Sequence, residues 1–150
     1  MEELSTYSIE DQIKKDLKEC EFINELFDSV KVVSAYEIPK KPTFPIIVVE
    51  EIYNRENSRY TTLEGEQATN LSYSIVVLCE TTKLKTGEIL SPKNSTKLLM
   101  LRINKLLGGE KYQMKRAMNS PIVPQKEDNS VMGCEQIYET VLFKDTLYRK

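Results

Sequence analysis

The chain contains no histidine. That absence removes Ser-His-Asp triads, Cys-His dyads, most zinc sites and the general bases that titrate near neutral pH. Cysteine is sparse: Cys20, Cys79 and Cys134 are far apart and odd in number, with no CxxC pair. A zinc knuckle or dithiol redox motif is therefore not expected, and three buried free thiols are. No apolar run approaches the roughly 18 residues needed to cross a bilayer. Basic charge is not in excess, with 21 Lys and Arg against 23 Asp and Glu, so no general attraction to nucleic acid is implied. The start Met1-Glu2-Glu3-Leu4 is acidic where a secretion signal is basic. The expectation is a chain made and kept in a cytosol, or built into something assembled there.

What is present suits one globular domain. The 150 residues, 40% hydrophobic and 29% charged, can bury a core without staples. Residues 1–7 read as a loose start. Ser8 and Asp11 open an amphipathic stripe of Ile9, Ile13, Leu17, Cys20, Ile23, Leu26 and Phe27, which predicts one helix over 8–28. Glu10 with Lys14 and Asp11 with Lys15 form i,i+4 pairs. The β-branched run 30–36 predicts a strand. Pro39, Pro42 and Pro45 then impose an extended connection. Ile46 to Tyr53 begins with four apolar residues, as a strand covered on both faces does.

The polar stretch 54–70 predicts a loop or protruding hairpin. In 71–82, Tyr73, Ile75, Val77 and Cys79 share one face of a strand. A polar turn with Gly87 follows. Ser91-Pro92 signals a helix start, and Gly108-Gly109 a left-handed stop. Leu99, Ile103 and Leu106 mark the core face of that helix, Met100 sits to one side, and Leu101 falls nearly opposite. Tyr112, Met114 and Arg116 alternate in the next strand. Pro121 and Pro124 interrupt it, and 126–130 is a charged turn. Residues 131–148 hold a last strand or strand pair, with Ile137, Val141 and Phe143 as expected core. The predicted class is α+β, a mostly antiparallel sheet with two helices packed on one face.

No constellation of catalytic residues emerges. Glu50 and Glu51 are strand neighbours pointing to opposite faces, so they cannot share a substrate. Gly108-Gly109-Glu110-Lys111 follows a helix, whereas phosphate loops precede one. Lys83, Lys85, Lys93, Lys111, Lys115 and Arg116 could line a basic surface, yet Tyr112 is the one aromatic near them. Neither enzyme activity nor a cofactor or metal is expected.

The layout resembles the tail terminator, or tail completion, proteins of long-tailed bacteriophages and phage-derived tail-like particles. The resemblance spans residues 8–148. It rests on the N-terminal helix, on Lys41-Pro42-Thr43-Phe44-Pro45 leading into 46–54, and on the loop with Thr61, Thr62, Glu64 and Glu66. It continues through the strand 71–77, the helix ending at Gly108-Gly109 and the close at Thr146-Leu147-Tyr148-Arg149. It implies a structural virion protein without catalytic residues, assembled in a bacterial host cytoplasm and placed at the head-proximal end of the tail. Such proteins form a hexameric ring that ends growth of the tail tube and presents a docking surface to the neck or head connector, or to a sheath. DNA would pass as cargo without sequence readout. Interface candidates are Leu101, Arg116, Lys126 and, in the 54–70 stretch, Arg55, Arg59 and Tyr60, the last three being residue types common at hot spots. A neck protein on the portal side and a monomeric adaptor module are the competing readings.

Overall fold

The computed structural model describes residues 9–57 and 68–143. It is α+β, a mostly antiparallel sheet with helices against one face. Helix α1 (Ile9–Lys18) buries Ile9, Ile13 and Leu17. The single expected helix is in fact broken. Cys20 is extended (φ −67°, ψ 114°), and a one-turn α2 (Glu21–Asn24) follows. Neither Gly nor Pro causes the break. The Asn24 side chain donates to the Lys18 carbonyl at 2.9 Å, satisfying an oxygen that the next turn would otherwise have bonded. The apolar stripe survives the bend, with Cys20, Ile23 and Phe27 all buried. Lys14 pairs with Asp11 and Glu37, not with Glu10.

Strand β1 (Lys31–Ser34) ends in a 3-10 turn, Ala35–Glu37, where Ser34 N–H donates to the Glu37 carboxylate at 2.8 Å. The Pro-rich connection leads to β2 (Ile46–Asn57), which pairs parallel to β1. This pair is the exception to antiparallel pairing, and the connecting segment is the crossover that it requires. All of Ile46, Ile47, Val48 and Val49 are buried, as a strand covered on both faces should be. Strand β3 (Ala68–Cys79) returns antiparallel to β2. The expected 54–70 loop is therefore a hairpin whose arms are strands; its tip, 58–67, lies outside the described residues. Leu71, Tyr73, Ile75, Val77 and Cys79 are all fully buried beneath the helices.

A small hairpin, β4 (Thr82–Lys83) and β5 (Ile89–Leu90), turns through Gly87 at φ 93°, a conformation costly for any residue with a Cβ. Helix α3 (Pro92–Leu107) starts where Ser91 Oγ accepts from Asn94 N–H. Its stop is not left-handed: Gly108 is right-handed (φ −82°, ψ −4°). Its N–H still bonds the Asn104 carbonyl, and a Cβ there would stand 3.0 Å from that oxygen. Leu99, Met100, Ile103 and Leu107 form the buried face, and Leu106 is only half-buried.

Tyr112 and Met114 are buried ahead of β6 (Lys115–Asn119), whose five residues are all exposed. Arg116 thus does not share their burial, because β6 lies outboard of the helix layer. Short β7 (Val123–Pro124) and β6 both pair with β8 (Met132–Phe143). On β8 the helix-facing residues are Cys134, Gln136, Tyr138 and Thr140, all buried. Ile137 lies on the other face, opposite Ser74, so the expected core parity was off by one residue. The side chains of Val141 and Phe143, and residues 144–150, lie outside those described. The sheet order is β1-β2-β3-β8-β6, with β7 alongside β8.

Candidate functional site

Two features of the sheet stand out. The first is a tongue. Strands β2, β3 and β8 are each 12 residues long, but β1 pairs with β2 only up to Val49, and β6 reaches only Glu139 on β8. Beyond those rows the sheet is three strands wide among the described residues and runs on to Asn57, Ala68 and Phe143. Those final rows extend about 14 Å at strand rise.

The second is a register row across the helix-facing side of the sheet. Glu51 on β2 lies opposite Tyr73 on β3, Tyr73 opposite Tyr138 on β8, and Tyr138 opposite Arg116 on β6. A carboxylate begins the row at one margin and a guanidinium ends it at the other. Between them stand two buried tyrosines. The Tyr138 hydroxyl bonds with Gln136 Oε1 and Asn104 Oδ1. The Tyr73 hydroxyl and Glu51 Oε1 are buried and meet no hydrogen-bond partner among the described residues. Burial pushes the Glu51 carboxyl above the ordinary carboxylate range, and the negative charge of Glu10 adds to the shift. Burial likewise raises the Tyr73 hydroxyl, with Glu51 and Glu10 contributing. Glu51, Tyr73 and Glu10 therefore lie within electrostatic reach of one another. Lys14, nearby, is engaged by Ser34 Oγ at 2.8 Å and Glu37 Oε1 at 3.2 Å.

Apolar side chains are exposed beside both margins. Tyr36 (85% exposed) and Ile38 (45%) follow β1, and Ile52 sits at the β2 bulge. Met118 (45%) lies on β6 and Val123 on β7.

The candidates from sequence are dispersed. Leu101 is 57% exposed on the solvent side of α3. Lys126 is exposed in the turn after β7, where Asn129 N–H bonds to its carbonyl. Arg55 lies in β2 opposite Asn70, its side chain outside those described. Arg59 and Tyr60 lie outside the described residues. The basic residues do not form one patch. Lys83, Lys85 and Lys93 cluster at the start of α3, and Lys111, Lys115 and Arg116 follow its end, about 24 Å away along a 16-residue helix. Lys111 is moreover paired with Asp16 at 2.9 Å.

Sequence reasoning set Glu51 aside with Glu50 and placed Tyr73 in the core. Their shared orphan state depends on register, which no local signal encodes. The three cysteines are buried free thiols, as expected. Burial pushes the Cys20, Cys79 and Cys134 thiols up, away from the reactive thiolate. No group of three or more metal-ligating side chains occurs among the described residues, and no described helix is long and apolar enough to cross a membrane. A scan against protein-family models finds no match to this chain, and a search of curated proteins finds no relative.

Proposed function

We propose that this chain is a structural virion protein that caps the head-proximal end of a phage-type tail tube as a ring. It ends tube polymerisation and offers the next component its docking surface. The observation that carries this reading is the three-stranded tongue, an extension of the sheet past its own flanking strands. A domain that works alone gains little from strands that outrun their cover, since unpaired edges invite association. A ring subunit gains reach toward its neighbours and the tube. The α+β order, with a Pro-rich lead into β2 and a helix ending at Gly108, follows the layout of the proteins it resembles. The chemistry fits an assembly role: burial raises all three thiols, away from the reactive thiolate. Its partners in this reading are further copies of itself, the tail tube protein and a neck or sheath component, and DNA passes through without being read.

Electron microscopy of particles assembled without the chain tests this reading. Overlong or unfinished tails are expected. Finished tails detached from filled heads would move the protein to the portal side of the neck. Normal tails joined to heads would remove it from tail assembly.

A further inference from the structure

We propose that copies of this chain dock head to tail, the β6 edge of one against the free β2 edge of the next, with Arg116 of the first seated on Glu51 of the second. This rests on the ring reading and names its subunit contact.

The argument starts from the register row. Within one copy the row Glu51-Tyr73-Tyr138-Arg116 crosses the whole sheet. Strand addition would continue it, because a strand set beside β2 places its side chains about 5 Å from those of β2 on the same face. Among the described residues no strand pairs with the outer edge of β2 beyond Val49, where the 3-10 turn Ala35–Glu37 follows β1. On the other side, β6 is the last strand of its end of the sheet. Residues 115–118 of β6 occupy the rows of Glu50, Glu51 and Tyr53, where no described strand pairs with the outer side of β2, and Asn119 reaches the row of Val49, which β1 covers. The two edges therefore overlap in level over residues 115–118.

Their charges also match. Arg116 forms no ion pair among the described residues, and the half-buried Glu51 carboxylate has no cation partner among them. A guanidinium at the accessible side of that carboxylate supplies the missing counter-charge. Opposite margins that complement each other make a heterologous contact, the kind that closes into rings. Exposed apolar groups stand ready beside both edges, Tyr36, Ile38 and Ile52 on one and Met118 on the other. Each edge carries a bulge, between Glu51 and Tyr53 and between Arg116 and Met118, and bulges discourage indiscriminate pairing.

The test is a charge exchange read by sedimentation velocity on the full chain. Glu51→Arg alone places arginine against arginine, and Arg116→Glu alone places glutamate against glutamate. Each single variant should associate at least about tenfold more weakly than the unsubstituted chain. An equal mixture of the two makes every contact complementary again, and should restore assemblies with an even number of subunits. Circular dichroism confirms that each variant folds. Should Glu51→Arg fail to fold, Glu51→Gln and Arg116→Ala take its place. Each should weaken association, and the double variant should cost no more than the worse single one. Single variants that assemble as well as the unsubstituted chain, a mixture of folded variants that stays monomeric, or an unsubstituted chain that never self-associates would each overturn the contact. Tail length in particles lacking the protein is a separate readout. Overlong tails with an inert charge exchange would sink this contact and leave the capping role; restored assembly with normal tails would do the reverse.

Discussion

Tyr73 and Tyr138 face each other across β3 and β8, equally buried, yet they end differently. Tyr138 lies under α3, where Asn104 and Gln136 take up its hydroxyl. Tyr73 lies toward α1, beside Glu51 and Glu10, and its hydroxyl has nothing to bond. The two halves of the sheet share one apolar layer but not one polar arrangement. The α3 half is internally complete: Thr96 bonds the Pro92 carbonyl, Ser95 bonds Thr82, and Arg102 joins the Phe22 carbonyl and Glu25. The α1 half leaves a carboxylate oxygen and a phenol unsatisfied at the margin of the sheet. Most buried polar groups in folded proteins are paired, so the incomplete half is the place to look for a partner.

If the difference is confined to polar groups, apolar truncations should not see it. Ile13 on α1 and Ile103 on α3 are both fully buried. Ile13→Ala and Ile103→Ala should each cost about 2–5 kcal/mol by urea denaturation. A cost under about 1 kcal/mol at Ile13 alone would mean that the α1 half is loosely packed, and that its orphan groups reflect poor cover rather than a missing partner.

The hydroxyls should separate the halves. Tyr138→Phe removes the one hydroxyl proton that Asn104 or Gln136 accepts and should cost about 1–3 kcal/mol. Tyr73→Phe removes a hydroxyl that was buried without a bond, so stability should be unchanged or rise by up to about 1 kcal/mol. Equal losses at the two positions would show that Tyr73 is bonded after all, through an enclosed water, and would weaken the case that its corner awaits another chain.

Much of this frame was legible from residue order alone. The i, i+4 stripe of α1, the alternation of β3 and the Ser91-Pro92 helix start are local signals, and the fold obeys them. What escaped was non-local. The break before α2 depends on Asn24 reaching back to Lys18. The parallel β1–β2 pair depends on where the Pro-rich segment deposits the chain. On β8 the parity between Ile137 and Tyr138 could not be chosen, because Ile137, Tyr138 and their neighbours offer apolar side chains to both faces. The candidate site was half visible: Arg116 was marked as a contact residue, but Glu51 and Tyr73 join it only through a register fixed by three strand pairings.

The smallest expected effect sharpens the comparison by pH. Glu51 and Asp16 are carboxylates on the same side of the core, shifted in opposite directions. Burial pushes Glu51 up, with Glu10 adding to it, and no donor answers. Its charged form is therefore penalised in the fold, fully above the raised folded pKa and not at all below the unfolded one. Burial also works against Asp16, but hydrogen bonds from Tyr112 at 2.5 Å, Lys111 at 2.9 Å and Gln12 at 3.0 Å outweigh it and hold the carboxyl below its ordinary value. Its contribution is present above the unfolded pKa and lost as pH falls through the lowered folded one. Glu51→Gln should then raise the denaturation midpoint at neutral pH, with the gain vanishing on acidification into the ordinary carboxylate range. Asp16→Asn should lower the midpoint at neutral pH, with the loss fading at still lower pH. A Glu51→Gln variant that is less stable at neutral pH would mean that the carboxylate already has its cation within the monomer, and Arg116 of a second copy would have no vacancy to fill.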